Sequence, residues 1–271
     1  MKSFSEIRLI NYKHRKDDKE EFFVNIDDWI KSPYSSLKAR YYIEVSSLIV
    51  YLLQFTKVTP NQVSVLYALL GFASGFLLSS DNKTLIYLSL TIFVLKGVVD
   101  WSDGLLARVT NKTSGIGHVI DTWGSHVGYY SLIFGIGIIS YNNSGEAIYL
   151  KITLIIFLLS LIDFKLFGYH QLFYEMLNKK LVLKENSLNE TKIGKYKNEL
   201  FIDKCKIILN SFLDDRARTL DLICLVIFIE TLYNTAYFTK IILILFLIKK
   251  IAILIGNFFE IVILQKLKDK V

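Results

Sequence analysis

The sequence predicts an all-α integral membrane protein with six transmembrane helices, preceded by an amphipathic surface helix on the cytoplasmic side. First, 52% of the 271 residues are hydrophobic and the mean hydropathy is +0.39, which is too apolar for an ordinary soluble domain. Second, apolar stretches long enough to cross a bilayer recur between polar turns. Third, Lys and Arg are concentrated in alternate connections, as in proteins that cross a membrane repeatedly.

The first 57 residues are predicted to form a polar segment that ends in the surface helix, over Tyr42–Lys57. This apolar run is too short to span comfortably, so we expect it to lie on the membrane. Thr59, Pro60 and Asn61 then open the first span. A proline suits a helix start, because the N–H that it lacks would have no partner there.

The six predicted spans occupy residues 58–265 and precede a basic cytoplasmic tail at 266–271. They run from Gln62 to Leu78, Thr84 to Asp100, Gly117 to Ile139, Ala147 to Phe173, Thr219 to Tyr233 and Thr239 to Leu264. A polar cytoplasmic insertion at 178–218 separates the fourth span from the fifth. Its apolar positions between Leu200 and Phe212 recur at helical spacing, which predicts a second surface helix.

The distribution of positive charge predicts the topology. Of the 32 Lys and Arg residues, 25 fall in the segments on one side, whereas the opposite loops hold only Lys83 and Lys240. By the positive-inside rule, both termini and the Asp100 end of the second span face the cytoplasm. The net charge of +7 is then a topology signal and an attraction to anionic lipid, which argues against nucleic acid as a partner. We expect no cleaved signal peptide, and Cys205 and Cys224 lack metal-site or disulfide spacing.

Acidic residues interrupt the apolar pattern around the end of the second span. Asp100 and Asp103 share one face of a helix, and Asp121 shares a face of the next helix with Gly117 and Ser125. Carboxylates at a membrane boundary are costly and usually functional. We expect the three acids to hold Mg²⁺ or Mn²⁺, which in turn would hold a phosphate-bearing substrate. Two small residues, Gly104 and Ala107, continue the acidic face and leave room for a ligand.

This stretch resembles the signature of the CDP-alcohol phosphotransferase family. The match keeps every interval of the family pattern, over Asp100, Asp103, Gly104, Ala107, Arg108, Gly117 and Asp121. The resemblance implies transfer of a substituted phosphate from a CDP-linked donor, such as CDP-diacylglycerol, to an acceptor hydroxyl with release of CMP, in phospholipid or related lipid synthesis. It also implies a homodimer with a cytoplasm-facing cavity.

The resemblance further implies roles for individual residues. Asp100, Asp103 and Asp121 would bind the metal. The nucleotide would be bound by Asn61, Asp103, Gly104, Ala107, Arg108 and Gly117. For Arg108, an ion pair with a neighbouring acid is an alternative to a substrate contact.

The chain departs from the family at the last motif position, where Ser125 replaces a fourth Asp. That Asp is taken to be the base for the acceptor hydroxyl, and general base catalysis is typically worth about 10²- to 10⁴-fold. A serine hydroxyl is far too weakly basic to do this work. Either another group takes the proton or the activity is weak or absent. His118, on the face of Asp121, is either that base or a histidine packed against a carboxylate.

Cationic residues inside or next to the spans provide further candidates. Lys96 precedes Asp100 by one helical turn and could pair with it. Arg216, Arg218 and Lys250 could bind the phosphate of an anionic acceptor or of the donor. For the lysines of the sixth span, pairing with Glu260 is the alternative. Two rival functions remain beside the transferase: a degenerate relative that binds nucleotide or lipid without turnover, and a cation transporter with an ionic path through the spans.

Overall fold

The computed structural model describes residues 2–21, 33–113, 115–162 and 217–258, and every regular element in these ranges is an α-helix. The prediction of an all-α fold is therefore confirmed for this part of the chain. The described helices are α1 (Phe4–Glu21), α2 (Pro33–Leu53), α3 (Pro60–Leu78), α4 (Lys83–Val109), α5 (Gly115–Ser144), α6 (Ile148–Leu161), α7 (Ala217–Tyr233) and α8 (Tyr237–Phe258).

The chain divides into two compact units. The first comprises Met1–Gly145 and Asp215–Thr239 and contains α1 to α5 and α7. The second comprises Glu146–Asp214 and Lys240–Val271 and contains α6 and most of α8. In the second unit, the ammonium group of Lys240 lies over the ring of Tyr149, 5.3 Å from its centroid.

Two of the described helices, α3 and α4, are long and apolar enough to cross a membrane. The helix α6 is apolar but shorter within the described residues. The rest of the predicted fourth span, the predicted surface helix between Leu200 and Phe212, and the basic tail lie outside the described ranges.

The start of α3 follows from its first residues. Thr59 and Gln62 form a capping box: the Thr59 N–H donates to Oε1 of Gln62 at 2.8 Å, and the Gln62 N–H donates to Oγ1 of Thr59 at 3.4 Å. Pro60 occupies the first turn, where its missing N–H removes no helical bond. The helix thus opens at the predicted Thr59–Asn61 segment, with Pro60 rather than Gln62 as its first residue.

The helix α4 continues well past Asp100, where the sequence predicted that the second span would end. Its last turns bury Leu105, Leu106 and Val109 in a core with Ile7 and Val50. Burial of an apolar face stabilises a helix more than intrinsic propensity does, so the helix runs on to Val109. Asp103, Gly104 and Ala107 were expected on the same helix as Asp100, and α4 carries all three. As a result, both acids and the small residues after them lie on one rigid helix.

The N-terminal region is more ordered than predicted. It forms two helices, α1 and α2, and α2 begins at Pro33 and ends at Leu53, so the predicted bounds Tyr42–Lys57 are wrong. Buried Asn11 of α1 donates to the Ile43 carbonyl and to the hydroxyls of Ser46 and Ser47 in α2. Because polar contacts contribute much of the packing between α1 and α2, hydrophobicity alone does not predict that these two helices pair.

An ion pair also joins α1 to α2. Arg8 donates to Glu44 at 2.7 Å, and the Tyr12 hydroxyl donates to the same carboxylate oxygen at 2.8 Å. Partial burial acts to raise the pKa of Glu44, but the two hydrogen bonds outweigh it and hold that pKa below its ordinary value of 4.5. The charged form of Glu44 therefore favours the paired helices.

The helices α3 and α5 cross in close backbone contact at glycines. A Cβ atom on Gly71 would lie 2.8 Å from the Cα of Gly128, and one on Gly75 would lie 2.3 Å from the Ser131 carbonyl oxygen. Side chains at these positions would push the helices apart, so glycine is needed for the observed approach. This crossing sets the position of α5 beside the acidic face of α4.

Candidate active site

Three helix ends meet at one end of the first unit. Short connections join α3 to α4 and α4 to α5, so the chain reverses direction between them, and α3 packs against both α4 and α5. The start of α3, the end of α4 and the start of α5 therefore surround a common space. It is a cavity of about 310 Å³, lined by Pro60, Asn61, Ser64, Asp103, Gly104, Ala107, Arg108, Lys112, Thr113, Gly117, His118 and Asp121.

Most of the site residues expected from the sequence lie on this cavity. Those in its lining are Asn61, Asp103, Gly104, Ala107, Arg108, Gly117, His118 and Asp121. Asp100 lies one turn before Asp103 on α4, and its carboxyl group is within hydrogen-bonding range of Asp121. Ser125 lies one turn after Asp121 on α5, half-buried, with its hydroxyl 3.4 Å from that of Tyr67. The fold thus collects side chains from three helices around one space.

The three acids interact with one another. Besides the contact between Asp100 and Asp121, Asp103 is close enough to both for electrostatic repulsion. Asp103 is only 6% exposed and accepts a hydrogen bond of 2.5 Å from Ser64 and another from the Gly104 N–H. Clustered carboxylates disfavour one another's charged forms unless a proton or a cation lies between them.

The chemistry of this set fits a hard divalent cation, because Mg²⁺ and Mn²⁺ prefer carboxylate oxygens. In the described ranges, no group of three or more His, Cys, Asp or Glu side chains already has the arrangement of a metal site. In this arrangement the two oxygens of Asp103 bond to Ser64 and to the Gly104 N–H. Asp100 and Asp121 adjoin each other directly, and Asp103 would complete the set by turning one oxygen towards them.

Arg108 is positioned by a small residue one turn earlier. A Cβ atom on Gly104 would lie 3.2 Å from an Arg108 guanidinium nitrogen, so the arginine side chain folds back over Gly104. There it interacts electrostatically with Asp103 and also lines the cavity. The ion pair with an acid and the substrate contact both stay predictions for Arg108.

Four residues of the lining were not predicted as site residues: Pro60, Ser64, Lys112 and Thr113. Ser64 follows Asn61 by three residues, a spacing that places both on one helix face and that could have revealed it. Lys112 and Thr113 lie beyond the end of α4, in the connection to α5, where no periodic pattern indicates which way a residue faces. Lys112 adds a positive charge to the lining of the cavity.

Lys96 lies deeper in the bundle, one turn before Asp100, and is only 8% exposed. Its ammonium group donates to the hydroxyl of Tyr67 at 3.3 Å and lies 4.6 Å from the centre of that ring. It also interacts electrostatically with Asp100, as its spacing in the sequence led us to expect. Gly128 makes room for it, since a Cβ atom there would lie 2.4 Å from the Lys96 nitrogen.

The remaining candidates lie elsewhere in the chain. Lys250 is half-buried on α8, in the second unit. Arg216 is outside the described residues, and Arg218 is described only as part of α7.

Comparison with known proteins bears on the same stretch of chain. A family model described as CDP-alcohol phosphatidyltransferase matches residues 57–201, which is more than half of the 271 residues. The matched range includes the whole lining of the cavity. A search of curated proteins finds no match to the chain.

Proposed function

Because this chain belongs to the CDP-alcohol phosphatidyltransferase family, whose members transfer phosphatidyl groups from CDP-alcohols in lipid synthesis, we propose that the cavity between α3, α4 and α5 is its active site. There, a substituted phosphate would pass from a CDP-linked alcohol to an acceptor hydroxyl, and CMP would leave. The observation that supports this proposal is the convergence of the motif. Residues from three helices, separated by up to 60 positions in the sequence, line one cavity beside a cluster of acids.

The residues divide into three groups by chemistry. Asp100, Asp103 and Asp121 would hold Mg²⁺ or Mn²⁺, which when bound neutralises and orients the diphosphate. Gly104, Ala107 and Gly117 carry little or no side chain, so the nucleotide can approach the helix backbones closely. Asn61 supplies an amide that can pair with polar groups of the nucleotide.

Two cations line the cavity near its edge. Arg108 presents a fixed fork of donors suited to phosphate oxygens, and Lys112 presents a point charge. We propose that both contact the phosphates of the donor. Arg216, Arg218 and Lys250 are proposed to bind the phosphate of an anionic acceptor or of the donor.

We further propose a membrane setting with six spans, a surface helix before the first of them, and both termini and the site facing the cytoplasm. The positive-inside distribution supports this topology. A homodimer belongs to the same proposal. Exposed apolar side chains on α3, among them Leu69, Phe72 and Phe76, provide a surface for lipid or for a second copy.

The direct test is CMP release by the purified full chain, with CDP-diacylglycerol as donor and Mn²⁺ as the ion. We expect release that depends on Mn²⁺ and falls by at least about 100-fold in Asp100→Asn, because the variant loses a charge in the acidic cluster. Asp81→Asn is a matched control, since Asp81 is an exposed acid in the connection between α3 and α4. Release that persists in Asp100→Asn would refute the metal assignment.

A second candidate function is binding of nucleotide or lipid without turnover. Ser125 favours it, because a hydroxyl bonded to Tyr67 stands where the family pattern has an acid. Under this alternative, the wild type binds CDP but releases no CMP. Transport of cations without CDP binding would exclude both candidates.

A further inference from the structure

We propose that Ser125 is a hydrogen-bond donor to an oxygen of a phosphate group, and that Lys96 and Tyr67 orient it for this role. The inference rests on the proposed function, which places a phosphate-bearing ligand in the cavity. It assigns Ser125 to binding that ligand, rather than to replacing the catalytic base. Ser125 would bind an anion through its hydroxyl.

Three polar side chains from three helices form a continuous chain of contacts. Lys96 of α4 donates to Tyr67 of α3 at 3.3 Å, and the Tyr67 hydroxyl lies 3.4 Å from that of Ser125 on α5. Lys96 and Tyr67 are only 8% and 7% exposed. Since buried polar groups are costly unless they are paired, such a chain specifies one arrangement of its members.

The backbone leaves space for this arrangement. A Cβ atom built on Gly128 would lie 2.4 Å from the Lys96 nitrogen, and one on Gly71 would lie 3.8 Å from it. A larger side chain at Gly128 would displace the lysine. The close crossing of α3 and α5 therefore accommodates a buried positive charge next to Tyr67.

The hydrogen-bond chain from Lys96 through Tyr67 to Ser125 has a preferred direction. An ammonium group has three donors and no acceptor, so Tyr67 must accept from Lys96. Accepting from a cation makes a phenol a stronger donor and a poorer acceptor of a second bond. The favoured direction thus runs from Lys96 to Tyr67 to Ser125, whose oxygen accepts and whose own proton points onward.

Ser125 differs in this respect from other serines of the bundle. The hydroxyls of Ser102 and Ser140 donate to the carbonyl groups four residues earlier, as is common in helices. Within the described residues, the hydroxyl of Ser125 makes no such bond, and its contact is with Tyr67. Its proton is therefore available to a ligand.

The position of Ser125 identifies the chemistry of that ligand. It follows Asp121 by one helical turn, on the face that borders the cavity and the acidic cluster. A ligand that reaches both a metal-binding cluster and a polarised donor is a phosphate ester. The oxygen belongs either to the diphosphate of the CDP-linked donor or to a phosphorylated acceptor.

The test is ligand binding to the purified full chain in nanodiscs with Mg²⁺, measured by calorimetry for CDP and for inorganic phosphate separately. A hydrogen bond to a charged group typically contributes enough to change affinity by about 10- to 100-fold. We expect that loss in Ser125→Ala, and affinity within about threefold of wild type in Ser125→Thr, which keeps the hydroxyl.

The two ligands distinguish the two sources. Weaker binding of CDP in Ser125→Ala assigns the diphosphate of the donor, and weaker binding of inorganic phosphate alone assigns a phosphorylated acceptor. Unchanged binding of both in Ser125→Ala would overturn the proposal, as would a loss in Ser125→Thr as large as that in Ser125→Ala. The matched control is Ser140→Ala, which removes a buried hydroxyl from the same helix and should change neither affinity.

The orienting role of Tyr67 is tested by a double-mutant cycle. Tyr67→Phe should weaken binding in the wild type by about threefold or more, but should cost nothing further in Ser125→Ala, where the oriented hydroxyl is already gone. Additive losses would mean that Tyr67 acts only through the stability of the bundle, and would remove it from the proposal. CMP release by the wild type tests the proposed function independently of the affinities of these variants.

Discussion

The crossing of α3 and α5 leaves no room for an added methyl group at Gly75. In Gly75→Ala, the ideal Cβ atom would lie 2.3 Å from the Ser131 carbonyl oxygen, 2.4 Å from its Cβ and 2.6 Å from its carbonyl carbon. Ordinary contacts between heavy atoms begin near about 3.5 Å, so the helices would have to separate by about 1 Å. Two of these three Ser131 atoms belong to the backbone, which a change of side-chain rotamer cannot move.

The expected cost follows from two opposing effects. Overpacking costs typically about 1–3 kcal/mol, and a clash with backbone belongs at the upper end. Alanine favours a helix interior over glycine by about 1 kcal/mol, so the net destabilisation is about 2 kcal/mol. For a chain of this size, that corresponds to a Tm lower by roughly 4–8 °C.

Thermal unfolding in detergent, followed by intrinsic fluorescence, measures this difference. The matched control is Gly115→Ala at the start of α5, where nothing lies within 4 Å of the added atom. We expect its Tm to equal or exceed that of the wild type. Equal Tm values for Gly75→Ala and the wild type would refute the inference that this glycine sets the approach of the two helices.

Two further predictions concern the site and the N-terminal helices. Ser64→Ala removes the hydroxyl that holds one oxygen of Asp103, so we expect CMP release to fall about tenfold, because a hydrogen bond to a charged group is lost. Ser74→Ala, whose hydroxyl bonds only the Leu70 carbonyl on the same helix, is the control, and an equal loss in both would contradict the assignment. The second prediction concerns pH: because the pKa of Glu44 is lower in the folded protein than its ordinary value of 4.5, its contribution is present above pH 4.5 and is lost as pH falls through the folded pKa. The protection of α1 amides from hydrogen exchange, relative to an unstructured chain at the same pH, should therefore fall below pH 4.5 in the wild type. In Glu44→Gln this protection should already be lower at neutral pH and should change little on acidification; identical profiles would exclude the ion pair as a cause.

Much of the site could be predicted from spacing. Asp100, Asp103 and Asp121 are chemically unusual in an apolar context, and intervals of three or four residues indicate which of them share a helix face. The same intervals placed Gly104 and Ala107 with the acids on α4. Local patterns suffice here because these residues lie within a single turn or two of one another.

The helix ends and the N-terminal pairing were harder to predict. Whether α4 stops at Asp100 or continues to Val109 depends on Ile7 and Val50, which are distant in sequence. Likewise, Asn11 reads as a solvated polar residue until its partners on α2 are known. Contacts between distant segments override local hydropathy in both cases.

From the residues alone came the helical class, the acidic motif with its family, and the replacement of an acid by Ser125. Each of these depends on residue type and on spacing along the chain, which the sequence contains in full. The direction of the polar chain from Lys96 through Tyr67 to Ser125 depends instead on three helices that meet at Gly71 and Gly128. No interval in the sequence relates those helices, so only their packing reveals that the serine is placed to donate a hydrogen bond.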